Sequence, residues 1–130
     1  MPEPLILRDA DAAGIVVVRF GEVTLLDPSL ADAAARCHER WGVWGFSVFE
    51  VPGEDYGELV RIRPAIAVRR LLLEARSRDL IAAGFRLLPT LDHPHWTVQV
   101  SEPTPEQFAR IRACFTGPLD NPTFTGRSRR

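Results

Sequence analysis

The most conspicuous absence in this chain of 130 residues is lysine, because all sixteen basic residues are arginine. Methionine and tyrosine occur once each. No apolar run approaches the roughly 18 residues that a membrane span requires, so no membrane association is expected. Acidic residues near the N-terminus stand where a secretory leader would carry positive charge. We therefore expect a cytoplasmic protein.

Cysteine is also scarce. The two residues, Cys37 and Cys114, lie far apart in the sequence, and neither belongs to a C-x-x-C motif. Each falls on the apolar face of a predicted helix, where a free thiol packs as a small hydrophobic group. A disulfide is disfavoured in a cytoplasmic protein. We expect no metal ion and no cofactor.

Length and composition are those of one globular domain, with 45% hydrophobic and 25% charged residues. We expect the compact domain to span residues 1–118 and residues 119–130 to form a disordered basic tail. Charge is divided along the chain. Residues 1–60 hold eleven acids and four arginines, and residues 61–130 hold six acids and twelve arginines. The halves can neutralise each other or present an acidic and a basic face to partners.

Two apolar runs rich in β-branched and aromatic residues predict strands. The first covers 15–20, and the second covers 44–51, which is apolar on both faces and is therefore expected near the centre of the sheet. Between them, Asp27 and Pro28 are a helix start signal, and apolar residues at helical spacing follow them. This pattern predicts a helix over 27–41. Because a helix links the two strands, a parallel βαβ unit is plausible here.

Three further helices are predicted from their start and stop signals, over 64–76, over 78–83 and from the capping box at Thr104 to Gly117. Segment 59–63 could be a short edge strand or the lead-in to the helix after it. Together these elements predict an α+β fold. We expect a mostly antiparallel sheet of four to five strands with about three helices packed on one face.

Two of the three histidines lie near the turn of a predicted hairpin that joins segments 85–88 and 96–100. His93 and His95 are two residues apart, so on an extended backbone their rings point the same way, as in strand-borne metal sites. No other cluster of histidine or cysteine supports a metal here, and Asp92 could instead hydrogen-bond the backbone of the turn. One X-Pro bond in this region could be cis, but the sequence does not say which.

His95-Trp96-Thr97-Val98 has the pattern His-x-Thr-apolar. It resembles one half of the signature of the two-histidine phosphoesterases, which bring two such motifs together around a phosphodiester. No second copy occurs, so the chain is not assigned to that family. The chemistry stands as a hypothesis, in which His95 is the base and His93 the acid of a metal-independent ribonuclease. In it, Arg86 and Thr97 would bind the phosphate.

Arginines and tryptophans provide two further candidate surfaces. Six arginines fall between residues 61 and 78, and Arg69 and Arg76 would share one face of the predicted helix, as in an array that follows a nucleic-acid backbone. The same arginines could form a solvated face paired with the acidic half. Trp44 either anchors the core or, if exposed, marks a binding surface for a protein partner.

These observations leave two hypotheses for function. The first is a small cytoplasmic protein-interaction module that acts on a protein partner or through self-association. The alternative is a metal-independent RNase or phosphodiesterase acting on RNA, of the kind that toxin–antitoxin or stress systems use. The sequence holds no glycine-rich phosphate loop, serine nucleophile elbow or paired-carboxylate motif that would favour another enzyme class.

Overall fold

The computed structural model describes residues 2–125, and within them six strands form one sheet. In chain order the strands are β1 (Val16–Phe20), β2 (Gly45–Glu50), β3 (Leu71–Arg76), β4 (Arg86–Leu88), β5 (His95–Gln99) and β6 (Thr116–Asp120). Their order across the sheet is β4-β5-β2-β1-β3-β6, and every neighbouring pair is antiparallel. The predicted antiparallel α+β fold is therefore confirmed, with a slightly higher number of strands.

Four α-helices accompany the sheet within residues 2–125. They are α1 (Asp27–Trp41), α2 (Tyr56–Ile62), α3 (Ser77–Ala82) and α4 (Pro105–Cys114). Two 3-10 segments, Pro52–Glu54 and Pro64–Val68, flank α2. None of these helices is long and apolar enough to cross a membrane.

The alternation of side chains along the strands divides the core between the two faces of the sheet. The larger cluster contains Val17 of β1 together with buried residues from three helices, among them Leu30 of α1, Leu80 of α3 and Ile111 of α4. The smaller cluster forms around the neighbouring residues of β1 and is covered by α2 and the second 3-10 segment: it contains Val16, Val18, Leu59 and Ile66. Three helices therefore pack on one face, as expected, and α2 covers part of the other.

Local signals account for α1 and α4. Pro28 lies in the first turn of α1, where its missing N–H costs nothing. Gly42 ends α1 in the left-handed conformation, with φ of 79° and its N–H bonded to the His38 carbonyl. Thr104 caps α4, because its hydroxyl accepts a hydrogen bond from the Gln107 N–H at 3.3 Å. Both predicted helices are confirmed, and α4 ends shortly before Gly117.

The predicted helix over 64–76 is wrong. The segment begins as a 3-10 turn and then forms β3, which pairs with β1 on one side and β6 on the other. Leu72 is buried on one face of this strand and Leu73 on the opposite face, a two-sided burial that a central strand satisfies. An unbroken apolar run fits a buried strand and a helix equally well, so the pattern alone misleads. Consequently Arg69 and Arg76 do not share a helix face.

The predicted parallel unit between the first two strands is also wrong. Val17 pairs with Glu50 and Val18 with Phe49 in antiparallel register. A parallel pair would need the connection to carry the chain back to the start of β1. Here the connection through α1 starts and finishes at the same end of the sheet, the end at which β1 finishes. Beyond these two residue pairs, β1 and β2 separate.

Segment 59–63, for which the sequence left two structures open, is helical, since α2 runs from Tyr56 to Ile62. Ordered structure also continues past residue 118, where we expected the domain to end. Strand β6 reaches Asp120 on the edge of the sheet, and buried Asn121 donates its backbone N–H to the Arg70 carbonyl. The end of the expected tail, residues 126–130, lies outside the described residues.

Candidate functional site

A network of hydroxyl groups and one imidazole links β2, β5 and the turn between β4 and β5. Strand pairing sets Thr97 beside Ser47 and His95 beside Phe49, so these four side chains share one face. Ser47 Oγ lies 2.9 Å from His95 Nε2, and Thr90 Oγ1 lies 3.0 Å from His95 Nδ1 and 2.7 Å from Thr97 Oγ1. The imidazole and both threonines are buried, whereas Ser47 is exposed. The network therefore opens to solvent at Ser47.

The hydrogen-bond partners of His95 indicate which ring nitrogen carries the proton of the neutral imidazole. Nδ1 lies 3.1 Å from the carbonyl oxygen of Thr90, which can only accept a hydrogen bond. In the neutral ring Nδ1 is therefore the donor, and Nε2 carries the lone pair that accepts from the Ser47 hydroxyl. The edge-on contact of Phe49, with ring centroids 5.7 Å apart, holds the imidazole in this orientation.

The imidazole is neutral at neutral pH. Burial lowers the pKa of His95 below its ordinary value, and the nearby guanidinium groups of Arg63, Arg8 and Arg40 lower it further. The hydrogen bond to the Thr90 carbonyl acts in the opposite direction but is outweighed. A neutral imidazole with a free lone pair on Nε2 is the form that can accept a proton.

Two adjoining cavities meet at Ser47. The α1 cavity, of about 450 Å³, is lined by residues of α1, β2 and β5, and its lining includes Arg36, Arg40, His95 and Thr97. The aromatic cavity, of about 490 Å³, lies between β1, β2 and the second 3-10 segment, and its lining includes Phe20, Phe49, Arg63 and Arg69. Arg19 and Ser47 line both. Both volumes fall in the range of small-ligand sites.

Arginine dominates the charge of these cavities. Five arginines line them, and no aspartate or glutamate of the described chain does. Arg36 and Arg40 are paired at the surface with Asp32 and Glu3. The other three have no carboxylate within 4 Å among residues 2–125: they are Arg19, Arg63 and Arg69. Three arginines without a carboxylate of the described chain within 4 Å give the aromatic cavity a locally positive potential.

Arg19 is held at the junction of the two cavities, where β1 and β2 part. Its Nη1 donates to the Ser47 carbonyl at 2.7 Å and its Nε donates to the Thr24 carbonyl at 3.2 Å. Its guanidinium also lies over the Phe46 ring, 5.4 Å from the centroid. Burial lowers the pKa of Arg19 to about 10, and the positive charge of Arg36 contributes. The group is still protonated at neutral pH.

Of the four residues in the ribonuclease hypothesis, the structure brings two together. His95 and Thr97 are both bonded to Thr90. The side chain of His93 is 46% exposed and has its Nδ1 3.9 Å from Glu50 Oε1, and the His93-Pro94 bond is the cis bond of this turn. Arg86 pairs with Gln99, four residues along β5 from His95, which places it roughly 13 Å away. The cations near His95 come from elsewhere in the chain.

The remaining predicted residues are scattered. Arg69 lines the aromatic cavity, whereas Arg76 lies 3.5 Å from Glu54 at the surface. Trp44 is half-buried and stacks on the His38 ring, with centroids 3.9 Å apart. No group of three histidine, cysteine or acidic side chains within residues 2–125 could hold a metal ion.

Sequence reasoning missed Ser47 and Arg19. A signal for both was present, because each polar side chain interrupts an apolar run in a central strand. A charge or a hydroxyl in such a position is unusual unless it has a partner or a function. What the sequence could not supply was their proximity, since Ser47 meets His95 only through the pairing of β2 with β5.

Comparison of the chain with protein-family models, with curated proteins and with solved structures gives no match. Three chemical properties of the site bear on its function. Its cavities carry positive charge without lining carboxylates, aromatic rings stand beside that charge, and a serine hydroxyl is bonded to a neutral imidazole.

Proposed function

We propose that this protein binds single-stranded RNA across the two cavities, with arginines on the phosphates and phenylalanines beneath the bases. The observation that carries this proposal is the set of five arginines around two adjoining cavities with no acidic residue of the described chain in their lining. A guanidinium is planar and delocalised, and its fork matches the geometry of a phosphate.

The aromatic cavity favours a ligand that carries a ring as well as a charge. The rings of Phe20 and Phe49 are tilted at 45° with centroids 6.4 Å apart. Arg63 lies over the Phe49 ring, 5.4 Å from its centroid. Single-stranded nucleic acids bind proteins through such a combination, with bases on aromatic faces and phosphates on basic groups. Two cavities that meet at Ser47 suit successive nucleotides.

The small net charge of the chain does not oppose this proposal. The formal charge is −1 at pH 7, but attraction of a ligand depends on the local field. Several acids are held in surface pairs, such as Asp32 with Arg36 and Glu58 with Arg61. The three arginines without such pairs converge on the aromatic cavity.

The binding proposal predicts that the double variant Arg63→Ala/Arg69→Ala loses at least about tenfold in affinity for a six-nucleotide RNA, because hydrogen bonds to charged groups contribute roughly 1.5–3 kcal/mol each. Its slope of log affinity against log salt should also become shallower, by about 0.7 per lost phosphate contact. Fluorescence anisotropy of a 5′-labelled oligonucleotide at several salt concentrations measures both quantities.

The matched control is Arg78→Ala/Arg86→Ala. It removes the same charge from two exposed arginines that line neither cavity. We expect this control to bind RNA as the wild type does. Equal losses in the two double variants would show non-specific attraction to the whole surface, and an absence of wild-type binding would reject the proposal.

A second candidate function is protein interaction through self-association, which the edge strand β6 favours. All five residues of β6 are exposed. An edge strand can pair with a strand of another chain. Under this candidate we expect the wild type to form a dimer in sedimentation velocity experiments and Leu119→Lys to remain monomeric. Asp92→Lys, an exposed residue away from β6, is the control. A wild type that stays monomeric at all concentrations would exclude the candidate.

A further inference from the structure

The Ser47 hydroxyl and the His95 imidazole have the relation of a nucleophile and its general base. Ser47 Oγ lies 2.9 Å from His95 Nε2, within the distance for direct proton transfer. The opposite nitrogen donates to the Thr90 carbonyl, which fixes the tautomer and the ring orientation. A serine, a neutral histidine and an acceptor that orients the histidine form the general arrangement of activated serine nucleophiles.

The N-terminal segment strengthens the support of the imidazole. Arg8 crosses to the turn before β5, where its Nη1 donates to the Thr90 carbonyl at 2.9 Å and to the His95 carbonyl at 2.6 Å. The backbone on both sides of the imidazole is therefore tied to one guanidinium. A base that is fixed in this way needs little reorganisation when it accepts a proton.

The position of Ser47 places this pair where an anion would bind. Ser47 is an exposed residue and lines both cavities. Arg19 is bonded to the Ser47 backbone carbonyl and lines the same two cavities, so it brings a fixed positive charge to the junction. A phosphorus atom at the junction would thus meet an oxygen nucleophile and a cation that stabilises the charge of the transition state.

We propose that Ser47 is the nucleophile and His95 the general base of a metal-independent phosphodiesterase, an inference that rests on the proposed binding of phosphodiesters in these cavities. In the first step Ser47 Oγ attacks phosphorus and its proton passes to His95 Nε2. The bond from phosphorus to the leaving oxygen breaks on the opposite side, and that oxygen takes a proton from solvent. The products are an alcohol and a phosphodiester of Ser47.

In the second step water attacks the phosphorus of this intermediate from the side that the alcohol has left, and it releases a proton to solvent. The bond between phosphorus and Ser47 Oγ breaks, and Oγ recovers its proton from His95 Nε2. The net reaction consumes one water and converts a phosphodiester into a phosphomonoester and an alcohol. His95 therefore acts as base in the first step and as acid in the second.

The test uses bis(4-nitrophenyl) phosphate in the presence of EDTA, because this diester has no 2′-hydroxyl group that could replace Ser47 as nucleophile. We expect the wild type to release 4-nitrophenolate and to acquire a 4-nitrophenyl phosphate adduct that mass spectrometry of peptides locates at Ser47. We expect Ser47→Ala and His95→Asn each to reduce the rate at least about 100-fold, the lower end of the contribution of general base catalysis.

Ser101→Ala, a substitution of an exposed serine that lines neither cavity, is the matched control and should retain the wild-type rate. Circular dichroism verifies that each variant is folded. The proposal would be overturned if Ser47→Ala hydrolysed the diester as fast as the wild type does. It would also be overturned if the wild type showed neither turnover nor an adduct. Cleavage of RNA without cleavage of the diester would overturn it in favour of the 2′-hydroxyl as nucleophile. Anisotropy measures RNA binding separately, so failure of catalysis is distinguished from failure of the binding function.

Discussion

Replacement of Arg19 by methionine is expected to weaken RNA binding by about 10- to 100-fold, since this guanidinium faces both cavities and a charged hydrogen bond contributes roughly 1.5–3 kcal/mol. The free energy of unfolding should change by no more than about 1 kcal/mol, because methionine keeps the apolar stem of the side chain and removes a poorly solvated charge.

The effect of this substitution on stability depends on the sign of the Arg19 pKa shift. Burial lowers the pKa of Arg19 to about 10, so the folded protein binds this proton less tightly than the unfolded chain does. At neutral pH the group is protonated in both states, and the folded state bears the full cost of the partly buried charge. Loss of the hydrogen bonds to the Thr24 and Ser47 carbonyls offsets part of the gain.

Urea unfolding and RNA anisotropy on the same preparations separate the two effects. Arg86→Met serves as the control, since this arginine is exposed and lines neither cavity. A variant at position 19 that loses much more than 1 kcal/mol of stability would identify Arg19 as a structural residue. A variant that binds RNA as tightly as the wild type would remove Arg19 from the site.

Replacement of Trp96 by alanine is expected to lower the free energy of unfolding by about 3–5 kcal/mol, the usual cost of truncating a buried tryptophan. Trp96 is 1% exposed and lies in the larger core cluster, on a strand paired with both β2 and β4. Its indole N–H donates to Glu50 Oε1 at 2.9 Å, so truncation also removes a partner from a half-buried carboxylate.

The chain offers a matched control in Trp41→Ala. Trp41 is half-buried at the end of α1, where Arg40 lies over its ring at 4.6 Å. We expect its truncation to cost about 1 kcal/mol, because half-exposed aromatic surface contributes much less. Denaturant unfolding followed by far-ultraviolet circular dichroism compares the two variants without relying on tryptophan fluorescence. Equal losses would contradict the placement of Trp96 in the core.

The elements that the sequence predicted correctly are those specified by nearby residues. Helix α1 has Pro28 in its first turn and ends before Gly42, and α4 follows the cap at Thr104. Strand β5 covers most of the predicted hairpin segment 96–100, and in it Trp96 and Val98 face the larger core cluster and Thr97 faces the opposite side. Each of these features depends on contacts within a few residues or on one strand period, which a single sequence displays.

The features that were mispredicted depend on distant partners. Strand β3 is a strand because β1 and β6 lie on its two sides, and neither partner can be recognised from its leucine-rich sequence. The candidate site has the same origin. His95 was identified by its own motif, whereas Ser47 and Arg19 join it through the pairing of β2 with β5 and the parting of β1 from β2. Such proximity is a property of strand order.

The strand order also has a consequence for how the chain folds. Of the five neighbouring pairs, the hairpin of β4 and β5 alone joins strands with a short connection, and the other four close long loops. Closure of such loops costs entropy before the contacts are gained, so folding should be slow for a domain of this size. During synthesis, β1 and β2 emerge from the ribosome before β3 and β5, which are their second neighbours in the sheet. Until then, the apolar strands of the N-terminal half are exposed to other chains.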